Sequence, residues 1–205
     1  MNPRKLYIAD WHYGHANVIG YDNRPFQTME EMNAALIERW NGAVTPRDTV
    51  YVLGDMFFSV KVKKAVEVLR ELNGKKVLIR GNHDHLTRYS EFCGEFEQIR
   101  DYLEIEDGWR TVVLCHYPIP CFHNHFLEEQ CHLYGHVHNG FEWNMTERFK
   151  IAMEELGHNC EMYNAGAMMP WMDYTPRTLS VITSGAETFR PRMESVQHKR
   201  KEQGP

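Results

Sequence analysis

The first half of the chain alternates short apolar runs with apolar residues at helical spacing. The runs predict three strands, at 6–9, 49–53 and 76–79. Two segments between them carry apolar residues every three or four positions, which predicts helices. The first helical face consists of Met29, Met32, Leu36, Ile37 and Trp40, and the second of Val62, Val66, Leu69 and Leu72. Thr28 and Glu31 have the spacing of a capping box, so we expect the first helix to begin after Thr28.

The second half of the chain follows a different pattern. Further apolar runs predict strands at 102–105, 111–115, 131–134, 162–163 and 179–183, without clear helices between them. Two strand–helix units followed by a run of strands predict an α/β fold in which helices cover the outside of the sheets. We expect one domain over residues 1–190 and a charged, frayed tail over residues 191–205.

Composition excludes several classes of protein. The net charge of -5 gives no general electrostatic reason to bind a membrane or long nucleic acid. The five cysteines are odd in number and form no C-x-x-C pair, which favours a reducing compartment over a disulfide framework. The N-terminal apolar run is too short for a signal peptide, and no segment approaches the length of a membrane span. We therefore expect a cytoplasmic protein.

Polar side chains recur where an apolar run ends. Because the carboxyl ends of strands converge on one crevice of a sheet, five separate segments are expected to deliver their polar groups to one place. The candidates are Asp10 and His12, Asp55, the tripeptide Asn82-His83-Asp84, His116, and the pair His136 and His138.

This set of residues favours metal binding. Asp, Asn and His together suit Mn, Fe, Zn, Co or Ni, and we favour Mn. Seven candidate ligands are too many for one tetrahedral site, but they suit two divalent metal ions that share a bridging carboxylate. A pair of ions about 3.5–4 Å apart stabilises both the attacking and the leaving oxygen in phosphoryl transfer. Two such ions would also give a net-acidic protein a local positive charge for phosphate.

The same residues carry a family resemblance. The blocks D-x-H (10–12), G-D (54–55), G-N-H-D (81–84), a single His after a strand (116) and G-H-x-H (135–138) resemble those of the calcineurin-like metallophosphoesterases. All five occur in the family's order. Residues 164–178 also resemble the closing segment of small prokaryotic members. The resemblance implies a four-layer α/β/β/α sandwich, with two mixed β-sheets that face each other and helices outside.

The resemblance also implies a role for each matching residue. One metal ion would be held by Asp10, His12, Asp55 and His138, and the other by Asp55, Asn82, His116 and His136, with Asp55 bridging. A hydroxide between the ions would be the nucleophile. His83 would give a proton to the leaving group or stabilise charge on the phosphoryl group. Asp84 would orient the His83 ring through a hydrogen bond.

Contacts with substrate are less clearly indicated. Arg24 and Arg177 are candidates because a guanidinium group binds phosphate oxygens in pairs, although each arginine could equally form a surface salt bridge. His15 and Asn17 resemble the G-H-x-N of small relatives and would support the site or contact substrate. No role is assigned to His85, His123 or His125.

Two classes of function fit these residues. The first is a metal-dependent phosphoesterase acting on a small phosphorylated substrate, either a phosphodiester or a broad range of esters. Phosphomonoesterase and nucleotide pyrophosphohydrolase activities are the alternatives within that class. The second is a non-catalytic metal-binding scaffold of the same fold. The presence of His83 together with every ligand block favours the enzyme, since a scaffold has no need of a proton donor.

Overall fold

The structure, a computed structural model, describes residues 2–189. The predicted tail at 191–205 lies outside these residues, so the predicted domain end at residue 190 stays a prediction. Within the described range, none of the helices combines the length and the hydropathy that crossing a bilayer requires.

The first sheet contains four parallel strands in the order β1-β2-β3-β4. They are β1 (Lys5–Ile8), β2 (Thr49–Val52), β3 (Lys75–Ile79) and β4 (Gln98–Arg100). The helices α1 (Val18–Tyr21), α2 (Met29–Ala43), α3 (Val62–Glu71) and α4 (Ser90–Cys93) lie between these strands in sequence. Because a helical crossover returns the chain to the same end of the sheet, the strands run in one direction and their carboxyl ends share one edge.

The second sheet has the order β5-β6-β7-β8 and is mixed. Its strands are β5 (Tyr102–Asp107), β6 (Arg110–Cys115), β7 (Gln130–Tyr134) and β8 (Met162–Asn164). A tight turn makes β5 and β6 antiparallel, whereas β6, β7 and β8 are parallel. The helix α5 (Phe141–Glu155) connects β7 to β8, and α6 (Leu179–Thr188) follows β8.

The two sheets share one buried core. Leu6 and Val50 of the first sheet belong to the same apolar cluster as Leu114 and Leu133 of the second. The Tyr7 hydroxyl donates to the Asp107 carboxylate across the sheets, at 2.8 Å. A parallel bridge between Ala9 and Gly166 joins the edge of β1 to the chain that follows β8, and an antiparallel bridge pairs Tyr7 with Arg177.

Helices cover both outer faces. Met32, Leu36 and Trp40 of α2, with Leu69 of α3, are buried in the cluster that contains the first sheet. Trp143, Phe149 and Met153 of α5 pack against a second buried cluster on the other sheet. The predicted fold class, a four-layer α/β/β/α sandwich, is confirmed.

Two predictions of secondary structure in the second half are wrong. Residues 179–183, predicted as a strand, begin helix α6. Their apolar, β-branched run is too short to distinguish a strand from a buried helix. Helix α5 was not predicted, because Glu147 and Lys150 interrupt its buried face. The Lys150 ammonium donates to the Glu147 carboxylate at 3.0 Å, so the pair satisfies its charges inside the helix layer.

Candidate metal centre

The carboxyl ends of five strands meet at one place. Donor atoms of Asp10, His12 and His138 lie within 4.8 Å of one another, as do those of Asp10, Asp55 and His116. Asn82 and His136 join the second of these groups through short side-chain distances. All seven ligands predicted from the sequence are therefore brought together.

One group of donors surrounds the end of β1. Nε2 of His12 lies 3.2 Å from Nε2 of His138. Two ligands bonded at about 2.0–2.1 Å to one tetrahedral ion have their nitrogen atoms about 3.3 Å apart. The Asp10 carboxylate completes a set of three donors here. The separation of the two imidazoles therefore fits a first-row metal ion.

The other group surrounds the ends of β3 and β6. Oδ1 of Asn82 lies 2.9 Å from Nδ1 of His136 and 3.1 Å from Nε2 of His116. The Asp55 carboxylate lies between this group and the first one. Its Oδ2 is 3.6 Å from Nε2 of His116 and 3.8 Å from Nε2 of His12. Asp10 also belongs to both clusters of donors, and in Asp55 a single oxygen faces an imidazole of each group.

Burial makes these groups suitable for a cation. Asp10 and Asp55 are buried, and among residues 2–189 neither forms an ion pair with a lysine or arginine. Burial raises the pKa of Asp10, since a carboxylate charge is unfavourable away from water. Burial, with the nearby His138 and Arg24, lowers the pKa of His12 and keeps its ring neutral. Neutral imidazoles beside buried carboxylates are the form that binds a divalent metal.

The backbone is strained at most of the ligands. Five of the seven have positive φ angles, between 47° and 71°, a conformation that residues other than glycine rarely adopt. They are Asp10, His12, Asp55, His136 and His138. Such strain persists where the surrounding structure over-determines it, and it concentrates at functional sites.

Two glycines of the sequence blocks allow the ligand segments to approach each other. A Cβ atom on Gly81 would lie 2.2 Å from Oδ1 of Asp55, and one on Gly135 would lie 2.8 Å from Oδ2 of Asp10. Any side chain at either position would displace a carboxylate of the centre. The glycines of the G-N-H-D and G-H-x-H blocks are therefore required by steric contact with the ligands.

A buried carboxylate that the sequence reading missed orients His138. Oδ1 of Asp22 lies 2.7 Å from Nδ1 of His138, which leaves Nε2 to face the metal site. Burial opposes protonation of this ring, but Asp22 and Asp10 outweigh it and raise the pKa of His138. A carboxylate behind a metal-bound histidine fixes the ring and increases its basicity. No local pattern marked Asp22, because it follows the short helix α1 rather than a strand.

Arg24 holds Asp22 and the backbone at the end of β1 in place. Its predicted role in binding phosphate is wrong. The side chain is buried, and its Nε donates to Oδ2 of Asp22 at 2.9 Å. Its other nitrogens donate to the backbone carbonyls of Asp10 and Trp11, at 2.9 and 3.0 Å. A guanidinium group with its donors engaged below the surface cannot contact a substrate.

In two further imidazoles, those of His116 and His12, Nδ1 contacts another group of the protein. Nδ1 of His116 lies 2.8 Å from the carbonyl oxygen of Leu53, so a proton on Nδ1 leaves Nε2 as the ligand atom. Nδ1 of His12 lies 3.3 Å from Nδ1 of His15, whose ring stacks on Phe58 with 3.8 Å between centroids. The structure thus places His15 directly behind a predicted ligand.

His83 stands at the edge of the centre. Its backbone N–H donates to Oδ1 of Asp55 at 2.8 Å, and its ring Nε2 lies 4.0 Å from Oδ2 of the same carboxylate. The side chain is 38% exposed, in contrast to the buried rings of His12 and His116. The ring of Phe58 packs edge-on against it. His83 can therefore reach both solvent and the space in front of Asp55.

The predicted hydrogen bond from Asp84 to the His83 ring is wrong. The buried Asp84 carboxylate instead accepts backbone N–H bonds from Gly81, Asp55 and Met56, at 2.8, 2.9 and 3.1 Å. Burial raises the pKa of this carboxyl to about 6, against the lowering effect of these bonds. Asp84 therefore fixes the backbone of Asp55, the predicted bridging residue, and acts on the site through it.

The remaining predicted substrate contacts lie farther out. Asn17 is exposed at the start of α1, and its contact with substrate stays a prediction. Arg177 exchanges backbone hydrogen bonds with Tyr7, and its Nε donates to the carbonyl of Met172 at 3.2 Å. Since Tyr7 lies in the middle of β1, the structure places Arg177 beside that strand and not among the donors at its end.

Comparison with known proteins agrees with this geometry. Residues 3–166 match the profile of the family described as calcineurin-like phosphoesterase. The chain belongs to that family, whose members typically bind divalent metals.

Individual relatives cover less of the chain. An uncharacterised protein of Methanocaldococcus jannaschii is 56% identical over 86 residues, which are 41% of this chain and 49% of that protein. The gene 66 protein of Mycobacterium phage L5 is 35% identical over 81 residues, 38% of each protein. This chain thus spans half or less of these curated relatives. A solved structure from Aquifex aeolicus, of unknown function, has 25% identity and a TM-score of 0.65 over 89% of this chain and 99% of that one.

The role of Asp22 predicts a specific loss of metal affinity. In Asp22→Asn, the amide cannot supply the negative charge behind His138, so we expect metal to bind about 10–100-fold more weakly. Metal competition with a coloured chelator measures this change. Asp48→Asn is the matched control, because Asp48 is also a buried carboxylate paired with an arginine, Arg4, at the other end of β2. Equal affinity in Asp22→Asn and the wild type would contradict the role.

Proposed function

We propose that this protein is a phosphoesterase that uses two divalent metal ions, with Mn favoured among Mn, Fe, Zn, Co and Ni. The observation that carries the proposal is the position of Asp55, whose Oδ2 faces His12 of one donor group and His116 of the other. A carboxylate oxygen that faces two groups of metal-ligating side chains is the arrangement that a two-metal hydrolase needs.

Each donor group would hold one ion. The first is Asp10, His12 and His138, the second is Asn82, His116 and His136, and Asp55 would be shared because its Oδ2 faces His12 and His116. When bound, the ions supply an acidified water and positive charge for the phosphoryl oxygens. Asp22 and the Leu53 carbonyl keep His138 and His116 aimed at the ions.

His83 is the proposed proton donor. Its backbone bond to Asp55 fixes its distance from the bridging carboxylate, and Phe58 restricts the ring from one side. The exposed part of the ring faces the space where an ester oxygen would leave. A histidine placed there protonates the leaving oxygen or stabilises charge on the phosphoryl group. A non-catalytic scaffold would bind the metals equally well without this side chain.

The substrate is proposed to be a small phosphodiester, or a broad range of small phosphate esters. Asn82 and His136 are exposed although they belong to the donor set, so the centre opens directly to solvent. An open site can accept a phosphodiester, whose phosphate carries an organic group on each of two oxygens. The net charge of -5 argues against long nucleic acid, and we propose a cytoplasmic location from the cysteine content. Monoester and pyrophosphate hydrolysis remain the alternatives within this class.

Removal and return of metal tests the proposed function. We expect the chelated protein to be inactive on phosphodiesters, monoesters and pyrophosphates, since hydrolysis depends on the acidified water. Each of the five metals is then added back separately and hydrolysis of the three ester classes is measured. Mn should restore the highest activity, with diesters preferred. If every metal binds and none restores hydrolysis, the protein is a non-catalytic metal-binding scaffold and not a phosphoesterase.

The role of His83 predicts a dependence on the leaving group. His83→Ala should keep both metals but lower kcat on an alkyl ester by roughly 10²–10⁴, because an alkoxide needs a proton to leave. An ester of para-nitrophenol, which leaves as a stable anion, should be affected much less. His158→Ala is the control, since His158 is exposed and lies beyond α5. Equal losses on both esters in His83→Ala would show that the ring does not donate a proton.

A further inference from the structure

A cavity of about 600 Å³ lies beside the metal centre, and the proposed function assigns no part of the substrate to it. Its walls include Arg80, Gly81, His85, Arg88, Asp101 and Tyr117. The first four belong to the segment that carries Asn82 and His83. Asp101 lies between β4 and β5, and Tyr117 follows β6. The cavity therefore opens where the two sheets meet, at their shared functional edge.

The cavity and the metal centre have walls in common. Gly81 touches the Asp55 carboxylate on one side and lines the cavity on the other. The exposed ring of Tyr117 packs edge-on against two predicted ligands, with centroids 5.0 Å from His116 and 4.6 Å from His136. A substrate held at the centre would therefore reach the cavity along the exposed ring of Tyr117, which touches both.

The cavity lies on the side of the proposed proton donor. The ring of His85, which lines it, has its centroid 6.4 Å from that of His83. A group that receives a proton from His83 is the leaving group, and it moves away from the metal ions as the ester bond breaks. The part of the substrate nearest this cavity is therefore its leaving group.

The charges of the cavity favour an anion. The Arg80 guanidinium is already paired with Asp101 by two bonds, at 2.7 and 2.5 Å. Asp84 also lines the cavity, but its carboxylate accepts three backbone N–H bonds. Arg88 is exposed, lies over the ring of Tyr89, and has no carboxylate partner within residues 2–189. Its forked donors match a carboxylate or a phosphate.

We propose that this cavity is the leaving-group site, and that it selects leaving groups that carry a carboxylate or a phosphate, with Arg88 as the recognition residue. This inference rests on the proposed hydrolysis of phosphate esters. Tyr117, which touches His116 and His136 and lines the same cavity as Arg88, provides a flat apolar wall for the body of the leaving group. His85 adds a second hydrogen-bonding group at the cavity wall.

The test compares three methyl aryl phosphodiesters of similar shape on the metal-loaded protein. Their leaving groups are para-hydroxybenzoate, para-hydroxyphenylphosphonate and the neutral para-hydroxybenzamide. We expect the wild type to have a kcat/KM roughly tenfold higher for the charged leaving groups than for the neutral one, the size of a charge-assisted hydrogen bond in a partly exposed site. The two charged compounds distinguish a carboxylate site from a phosphate site.

Three variants assign the preference to Arg88. Arg88→Gln should bring the charged-to-neutral ratio close to one, while Arg88→Lys should keep part of it. Arg47→Gln is the matched control, since Arg47 is an exposed arginine in the turn before β2, at the opposite end of the sheet. Thermal denaturation confirms that each variant is folded. A ratio near one in the wild type, or an unchanged ratio in Arg88→Gln, would overturn the proposal and show that Arg88 is a surface residue only.

A second measurement separates this inference from the proposed function. Binding of free para-hydroxybenzoate, para-hydroxyphenylphosphonate and para-hydroxybenzamide to the chelated protein is followed by ligand-observed NMR, which requires neither metal nor hydrolysis. Stronger binding of either anion than of the amide in the wild type, lost in Arg88→Gln, supports the site even if no ester is hydrolysed. Hydrolysis without a preference for either charged group, in both measurements, overturns the site and leaves the proposed function intact.

Discussion

The arrangement of the functional edge depends on the Asp55 carboxylate. Oδ1 accepts the backbone N–H of His83, and Oδ2 faces imidazoles of both donor groups. The N–H of Asp55 is held in turn by Asp84, and Gly81 lacks the side chain that would push the carboxylate aside. The ends of β2 and β3 are thus linked through one buried charged group. A carboxylate charge buried in this position needs a cation near it, because water cannot stabilise it there.

The two-sheet architecture explains how the six other predicted ligands come close to this carboxylate. Parallel strands deliver Asp10, Asp55 and Asn82 from the first sheet and His116 and His136 from the second, and one buried core between the sheets aligns the two edges. The strained backbone at most of these residues is tolerated because helices and sheets on both sides hold it in place. The predicted ligands follow the strands of the sheets, while His83 and Arg88, the residues proposed to act on the substrate, are more exposed.

That these seven residues lie together could be predicted from the sequence, because each comes soon after an apolar strand and strand ends converge by a general rule. The residues that hold the predicted ligands in place could not be predicted from the sequence. Asp22 and His138, which lie in contact, are 116 positions apart in the sequence. The sequence around Arg24 does not show that this arginine is buried. Asp84 was placed in the site correctly but given the wrong partner, since sequence does not show which way a loop carboxylate turns. Helix α5 escaped prediction because a buried ion pair replaces apolar residues on its inner face.

If Asp55 joins two metal sites, its removal must change the number of ions that the protein binds. Metal bound per chain is measured by mass spectrometry after equilibrium dialysis, for the wild type, for Asp55→Ala and for Asp48→Ala as a buried-aspartate control. We expect about two ions per chain in the wild type and in Asp48→Ala, and loss of ions from both sites in Asp55→Ala, because each donor group loses a shared ligand. Two ions retained in Asp55→Ala would contradict a shared role for Asp55.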